Sequence, residues 1–304
     1  MKKSIFVSFL LLLFVAVVPV NAAIQRTSIK SSEKRSETTI KPQVKKPPTK
    51  RSAATIKPHN TAVQKQNSKV NSSALYNKAR EYEQKGNMKE AFKWYKKAAE
   101  AGNASAMNTL GYMYHEGHGV SRNYAEAVKW YKKAADKGSS DAMKALGWMY
   151  YLGNGVSKDY AEAIKWYQKA ADKGNADAMI DLGHMYEDGY GVSQDYAEAI
   201  KWYQKAADKG NADAMLFLGH MYAGGYGVNK DYSQAKYWYQ KAMVVFKKTA
   251  ETGDENAMLK LGTMYEEGYG VNKDYSQAKY WLQKAADKGS IDAAIVLRNW
   301  DYEH

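Results

Sequence analysis

The sequence predicts an all-α fold, an α-solenoid of about six helix-turn-helix repeats with a period of 36 residues, preceded by a disordered basic N-terminal segment. Two observations predict it. The block Trp-Tyr-x-Lys-Ala recurs at intervals of 36 residues, and such self-similarity is the signature of repeat architectures. All five prolines of the 304-residue chain fall at or before Pro58, whereas all eight tryptophans fall at or after Trp94. Two different kinds of chain are therefore joined.

Residues 1–22 have the composition of a secretory signal peptide. Two lysines precede an apolar run at 5–18, and small residues at the end of the segment are typical of cleavage after Ala22. The run is shorter than the ~20 residues of a membrane span, although an uncleaved anchor is the alternative. The chain has no cysteine, which excludes a lipoprotein, a disulfide framework and a cysteine nucleophile. We expect export to a bacterial periplasm, cell surface or medium.

Residues 23–72 predict a disordered linker rich in Lys, Ser, Thr and Pro, because they include no aromatic residue that could build a core. Residues 24–72 carry 12 Lys and Arg against 2 Glu, whereas residues 73–304 carry 31 basic and 30 acidic side chains. The linker is either an electrostatic contact to an anionic surface or a simple spacer. Export and the lack of aromatic side chains for base stacking argue against nucleic acid as a partner.

Residues 73–304 predict the repeat domain, and each unit contains two helices. In residues 140–152 the apolar side chains share one helical face, and Gly153 supplies a left-handed stop. In residues 159–173, Asp159 and Glu162 have the spacing of a capping box. Four blocks recur in register along the chain. Their anchor residues are Trp94, Trp130, Trp166, Trp202, Trp238 and Trp281; Leu110, Leu146, Leu182, Leu218 and Leu261; Gly117, Gly153, Gly189, Gly225 and Gly268; and Gly138, Gly174, Gly210 and Gly289.

A glycine inside each first helix needs a structural reason, because it costs about 1 kcal/mol against alanine. In the 140–152 helix this residue is Gly147, and we expect close approach of the paired helix with Ala163 or Ala170 opposite. The recurring Gly-x-Gly-Val element is predicted to be a turn, since no strand precedes it and no Lys-Ser/Thr follows it, as a phosphate loop requires.

The two ends and one insertion depart from the repeat. A shorter first pair at 73–101 is predicted to be an N-terminal cap, and residues 290–304 a polar C-terminal cap. Seven extra residues at 243–249 predict a longer helix. Seven residues are close to two helical turns, so the apolar side chains on either side of the insertion stay on the same face of the helix. Val244 to Phe246 then either pack or form a contact patch.

Together these motifs resemble those of the Sel-one-like repeat proteins, relatives of tetratricopeptide repeats. The resemblance covers residues 73–304 and implies right-handed superhelical helix pairs that serve as scaffold or adaptor surfaces. It also implies exported bacterial proteins that meet host cells or act in the envelope, some of them cysteine-rich and linked to β-lactam binding. The motifs that carry it are Ala142-Met143, Leu146-Gly147-x-Met149-Tyr150, Gly153-x-Gly155-Val156, Asp159-Tyr160 and Trp166-Tyr167.

A few first-helix positions vary between otherwise similar copies. In the resembled tetratricopeptide fold these positions face the concave groove, and aromatic side chains there are typical binding anchors. The alternative is that they fill space between neighbouring first helices. The candidate partner-binding residues are Asn108, Tyr112, His115, Lys144, Trp148, Tyr151, His184, Glu187 and His220.

No catalytic arrangement stands out, and we expect neither a cofactor nor a metal. His115 and His118 lack the His-Glu-x-x-His spacing, and His184 and His220 are predicted to lie at equivalent positions as surface residues. We therefore predict a monomeric, non-enzymatic scaffold that binds a protein or peptide in its groove, with the cell's own or a host's partner left open. The alternative is an envelope factor that binds cell-wall glycan or β-lactam.

Overall fold

The structure, a computed structural model, describes the backbone of residues 60–303 and the side chains of residues 71–300. Within this range the chain is all α-helical and contains no strand. The predicted signal peptide and the predicted linker up to residue 59 lie outside the described residues. The helices are α1 (Asn60–Gln84), α2 (Met88–Glu100), α3 (Ala104–Glu116), α4 (Tyr124–Asp136), α5 (Ser140–Leu152), α6 (Tyr160–Asp172), α7 (Ala176–Asp188), α8 (Tyr196–Asp208), α9 (Ala212–Gly224), α10 (Tyr232–Glu251), α11 (Glu255–Glu267), α12 (Tyr275–Asp287) and α13 (Ile291–Glu303).

The helices form an α-solenoid of antiparallel pairs, which confirms the predicted fold class. Of the described residues, one compact unit comprises 60–245 with 269–271, and a second comprises 246–268 with 272–303. The first unit contains α1 to α9 and most of α10. None of the helices in the described part of the chain is both long and apolar enough to cross a membrane.

The helix ends follow the capping residues that the sequence predicts. The Asp159 side chain accepts a hydrogen bond from the backbone N–H of Glu162 at 2.9 Å, which caps the start of α6. Gly153 ends α5 in the left-handed region with φ of +80°. The next glycine of that turn, Gly155, lies against the preceding repeat, where an added Cβ would be 2.5 Å from the Tyr124 carbonyl carbon. The Gly-x-Gly-Val element is thus a turn that contacts α4, the second helix of the preceding repeat.

The glycine inside four of the five first helices that carry it packs against a tyrosine, which corrects the expectation of an opposing alanine. A Cβ on Gly147 would lie 2.5 Å from the ring of Tyr167, which is 2% exposed. Close approach of the two helices is confirmed, but a large ring occupies the space that the missing side chain leaves. The glycine–tyrosine pairs are Gly111 with Tyr131, Gly147 with Tyr167, Gly183 with Tyr203 and Gly219 with Tyr239, and Gly262 meets Leu282 in the second unit.

The first helix begins earlier than the predicted linker boundary at residue 72. Helix α1 starts at Asn60, two residues after the last proline of the chain. Ser72 is 4% exposed, and its backbone carbonyl accepts a hydrogen bond from the Asn103 side chain at 3.4 Å. Ser72 therefore packs with the first helix pair, and the helix that contains it extends back to Asn60, where no proline remains to stop it.

The structure has the predicted longer helix at the insertion, but its C-terminal helix is not the predicted polar cap. Helix α10 has 20 residues instead of the usual 13, as the seven extra residues predict. Val244 is 69% exposed, whereas Phe246 is buried, so one of the inserted apolar residues faces out and another packs. The last helix is less polar than a cap should be, because Ile291 and Ile295 are exposed.

Candidate partner-binding site

The nine candidate residues lie on helices α3, α5, α7 and α9 of the first unit. We call the surface formed by these four helices the first-helix face. Every candidate side chain is half-buried, so none projects freely and none is sealed in the core. They are Asn108, Tyr112 and His115 on α3, Lys144, Trp148 and Tyr151 on α5, His184 and Glu187 on α7, and His220 on α9.

An aromatic cluster occupies the part of this face around α5. The rings of Trp148 and Tyr151 are stacked, with centroids 5.5 Å apart and planes 13° from parallel. The Tyr151 ring also meets Tyr160 at 5.2 Å and Tyr190 at 5.7 Å. The two candidates are therefore held in place by neighbours of two repeats, as binding anchors need to be.

The three candidate histidines contact side chains of their own repeat, and His184 also contacts a ring of the next repeat. The His184 ring lies 4.8 Å from Phe217 and 5.6 Å from the buried Tyr203. The Nδ1 atom of His220 is 2.9 Å from the Tyr239 hydroxyl. On α3, the Nδ1 atom of His115 lies 2.9 Å from the Glu116 carboxylate.

Glu187 and Asn108 are tied to the interior. Glu187 accepts a hydrogen bond from the hydroxyl of the buried Tyr203 at 2.5 Å, and burial raises the pKa of its carboxyl group. The Oδ1 atom of Asn108 is buried and has no donor among the described residues. Both side chains therefore contribute to packing as well as to the face.

Lys144 forms an ion pair with the next repeat. Its Nζ atom is 3.2 Å from Oδ2 of Asp177, and the side chain is 21% exposed. Burial lowers the pKa of Lys144, but the carboxylates of Asp177 and Asp181 outweigh it and raise the pKa overall. The ammonium group is therefore held charged against α7.

Asp181 on α7 belongs to this site although the sequence analysis did not select it. Burial of its carboxyl group raises its pKa to about 7, against the opposing attraction of Lys144. The signal was present in the sequence, because the residue before the repeated leucine also varies between copies. The corresponding residues are Thr109, Ala145, Asp181, Phe217 and Lys260.

Charge is distributed unevenly between the two layers of helices in the first unit. The four helices of the first-helix face carry seven acidic side chains and one lysine. The second helices α2, α4, α6 and α8 carry eleven lysines and eight acidic side chains. The candidate surface is thus acidic, whereas the opposite layer is basic.

The candidate site holds no recognisable metal centre. Within residues 71–300, no group of three or more His, Asp or Glu side chains is arranged to hold a metal ion. The ring of His118 packs edge-on against Tyr112 at 5.6 Å.

Comparison with known proteins identifies the repeats. The family model described as Sel1 repeat matches six segments, at residues 73–103, 104–139, 140–175, 176–211, 212–242 and 256–290. Comparison with curated proteins yields no match.

The solved structures that resemble this chain include two that are at least 30% identical to it. A Sel1 repeat protein from Oxalobacter formigenes is 40% identical, with 71% of this chain and 87% of that chain covered and a TM-score of 0.60. The protein c5321, a protective antigen of uropathogenic Escherichia coli strains with an SLR fold, is 33% identical with a TM-score of 0.53. That match covers 75% of this chain but only 57% of c5321.

Proposed function

Because the chain belongs to the Sel1 repeat family, we propose that it is a non-enzymatic scaffold whose first-helix face binds a partner protein or peptide. Sel1 repeat proteins generally mediate protein–protein interactions. The observation that carries the proposal is the half-buried aromatic cluster of Trp148 and Tyr151 on an acidic surface. Fixed aromatic side chains lose little conformational entropy on binding and are enriched among binding hot spots.

The variation between repeats supports the same surface. Positions that pack one helix against the next, such as Leu146 and Tyr167, are the same in most copies, and both are buried. Positions on the first-helix face differ from copy to copy. A surface that is only partly involved in packing can present a different side chain in each repeat to an extended ligand.

We further propose that the protein acts as a monomer outside the cytoplasm. The composition of residues 1–22 favours export, and the related c5321 is a protective antigen of a pathogenic strain. The basic segment 24–72 is proposed to contact an anionic surface of the envelope.

Affinity capture with the full chain tests the proposed function. The bait is incubated with an envelope extract and with a host-cell lysate, and retained proteins are identified by mass spectrometry. A bait carrying Tyr112→Ala, Trp148→Ala and His184→Ala together should lose the partner, with affinity reduced more than about tenfold.

A matched control changes the opposite layer. Lys165→Ala and Lys201→Ala remove two exposed side chains of α6 and α8 and should leave capture unchanged. Equal capture by the triple variant and the native chain would contradict binding at the first-helix face. Capture of no protein at all, together with retention on purified cell wall, would favour the glycan-binding alternative.

A further inference from the structure

Two carboxylates of α7, those of Asp177 and Asp181, face α5, and only that of Asp177 has a partner there. Both oxygens of Asp177 are occupied, Oδ2 by Lys144 at 3.2 Å and Oδ1 by the side-chain amide of Asn211 at 3.2 Å. Asp181 lies one helical turn further along α7. Among residues 71–300, its carboxylate accepts no hydrogen bond and forms no ion pair within 4.0 Å.

A single lysine therefore faces two carboxylates. Lys144 interacts electrostatically with both Asp177 and Asp181, and its direct contact is with Asp177. The three groups together keep one net negative charge when Asp181 is ionised. Asp181 is half-buried, and a partly desolvated carboxylate without a partner is costly, so a cation from outside would lower that cost.

A second acceptor lies beside this carboxylate. The ring of Tyr167 is buried under Gly147, and its hydroxyl interacts electrostatically with Asp181 and Tyr151. The hydroxyl makes no hydrogen bond within the described residues, and it is not one of the sealed polar atoms that lack a partner. The hydroxyl therefore keeps a small contact with solvent, although Tyr167 as a whole is only 2% exposed.

Aromatic faces complete the surroundings. Tyr151, the neighbour of the Tyr167 hydroxyl, is stacked on Trp148, and both rings are half-buried. In the next repeat Phe217, the counterpart of Asp181, lies 4.8 Å from His184, the counterpart of Trp148, so the repeat places Asp181 beside Trp148. An aromatic face attracts a cation through the ring quadrupole, and a guanidinium group stacks on such a face while donating several hydrogen bonds.

At the contact between α7 and α9, one repeat further along the face, the residues equivalent to Asp181 and Tyr167 provide neither a carboxylate without a partner nor a tyrosine hydroxyl without a hydrogen bond. The position of Asp181 is occupied there by Phe217, whose ring is stacked on Tyr203 at 5.2 Å. The Tyr203 hydroxyl donates a hydrogen bond to Glu187. Asp181 is therefore a local feature and not a consequence of the repeat.

We propose that Asp181, the Tyr167 hydroxyl and the Trp148–Tyr151 rings form a binding site for one cationic side chain, an arginine or lysine of the partner. The site rests on the proposed function, because it specifies the chemistry of a ligand that the first-helix face binds. The guanidinium or ammonium group lies against the Asp181 carboxylate, and its alkyl stem lies on the rings.

The test is a titration of the full chain with Nα-acetyl-arginine amide, followed by the NMR signal of the Trp148 indole N–H. Trp148→Phe assigns that signal. Arginine amide should shift it at about pH 8, whereas the neutral isostere Nα-acetyl-citrulline amide should not. Equal shifts with both compounds would overturn the site.

Two variants and one control test whether Asp181 and the Tyr167 hydroxyl bind the arginine side chain. Asp181→Asn should weaken arginine binding about tenfold, and Tyr167→Phe, which keeps the buried ring, about threefold. Asp136→Asn removes an exposed carboxylate of α4 and should leave the dissociation constant unchanged. Unchanged binding in Asp181→Asn, with thermal unfolding showing a folded chain, would refute the assignment.

The pH dependence provides a separate readout. Ionisation of Asp181 favours a cation, so affinity should rise from about pH 6 to about pH 8, on either side of its pKa of about 7. The rise should vanish in Asp181→Asn, and a rise that persists there would come from another group. The charged and titratable groups that face Asp181 are Lys144 on α5, Tyr167 on α6, Asp177 on α7 and Tyr203 on α8.

The outcomes separate this site from the proposed function. Failure of the arginine titration, with a captured partner still dependent on Tyr112 and Trp148, would remove the cation site and leave the scaffold. Arginine binding without any captured protein would retain the site and count against the scaffold.

Discussion

Asp181 shows at the level of one residue how a binding surface can oppose stability. Its pKa is raised from 3.8 to about 7 by burial, so the folded chain binds this proton more tightly than the unfolded chain does. Below about pH 4 the group is protonated in both states and costs nothing. The cost grows as pH rises and is complete above the folded pKa.

Replacement of this carboxylate should therefore stabilise the protein. We expect Asp181→Asn to raise the free energy of unfolding by about 1–3 kcal/mol at about pH 8, and the gain to disappear near pH 4. Urea denaturation at the two pH values measures it. Asp136→Asn should show no comparable gain, and a loss of stability in Asp181→Asn would show that the carboxylate has a structural role.

The sequence indicated which side chains lie on the first helices, but not which groups they bond to in the fold. Repeat variation identified Lys144 and Glu187, and both lie on the first-helix face. It could not show that Glu187 accepts a hydrogen bond from Tyr203, because that bond joins residues 16 positions apart on two helices. Nor could it show that Asn211 occupies the Asp177 carboxylate and leaves Asp181 unsatisfied.

The helix pair is the element at which glycine and tyrosine act together. In an isolated helix, Gly147→Ala would gain about 1 kcal/mol from helix propensity. In the pair, the new Cβ would lie 2.5 Å from the Tyr167 ring, and overpacking of a core costs about 1–3 kcal/mol or more. Because the ring is buried and cannot move aside, the second effect should win.

We therefore expect Gly147→Ala to lower the free energy of unfolding by about 1–3 kcal/mol, measured by chemical denaturation. Ala161→Ser, on the exposed surface of α6, should change it by less than about 0.5 kcal/mol. A more stable Gly147→Ala variant would show that the two helices can separate without cost.

Helix boundaries were predictable wherever the sequence carries a capping signal. The predicted 140–152 helix matches α5, and Asp159 caps α6 as its spacing with Glu162 indicates. The start of α1 was not predictable in this way, because its polar sequence has neither an apolar stripe nor an acidic first turn. Only the buried Ser72 shows that the pair extends before residue 73.

At the scale of the whole first unit, the two helix layers differ in charge and in variability. The second helices repeat nearly the same lysines and tryptophans, and Lys169 lies 3.9 Å from the centre of the Trp166 ring. The first helices carry the acidic and variable side chains. This division favours a partner that is basic and extended along several repeats.

Site-specific photo-crosslinking tests the central claim most directly. Benzoylphenylalanine replaces either Trp148 on the first-helix face or Lys165 on the opposite layer, and each chain is irradiated in the extract that yields the captured partner. The account predicts a covalent adduct with that partner from position 148 and none from position 165. An adduct from position 165 alone would place binding on the second helices and contradict the account.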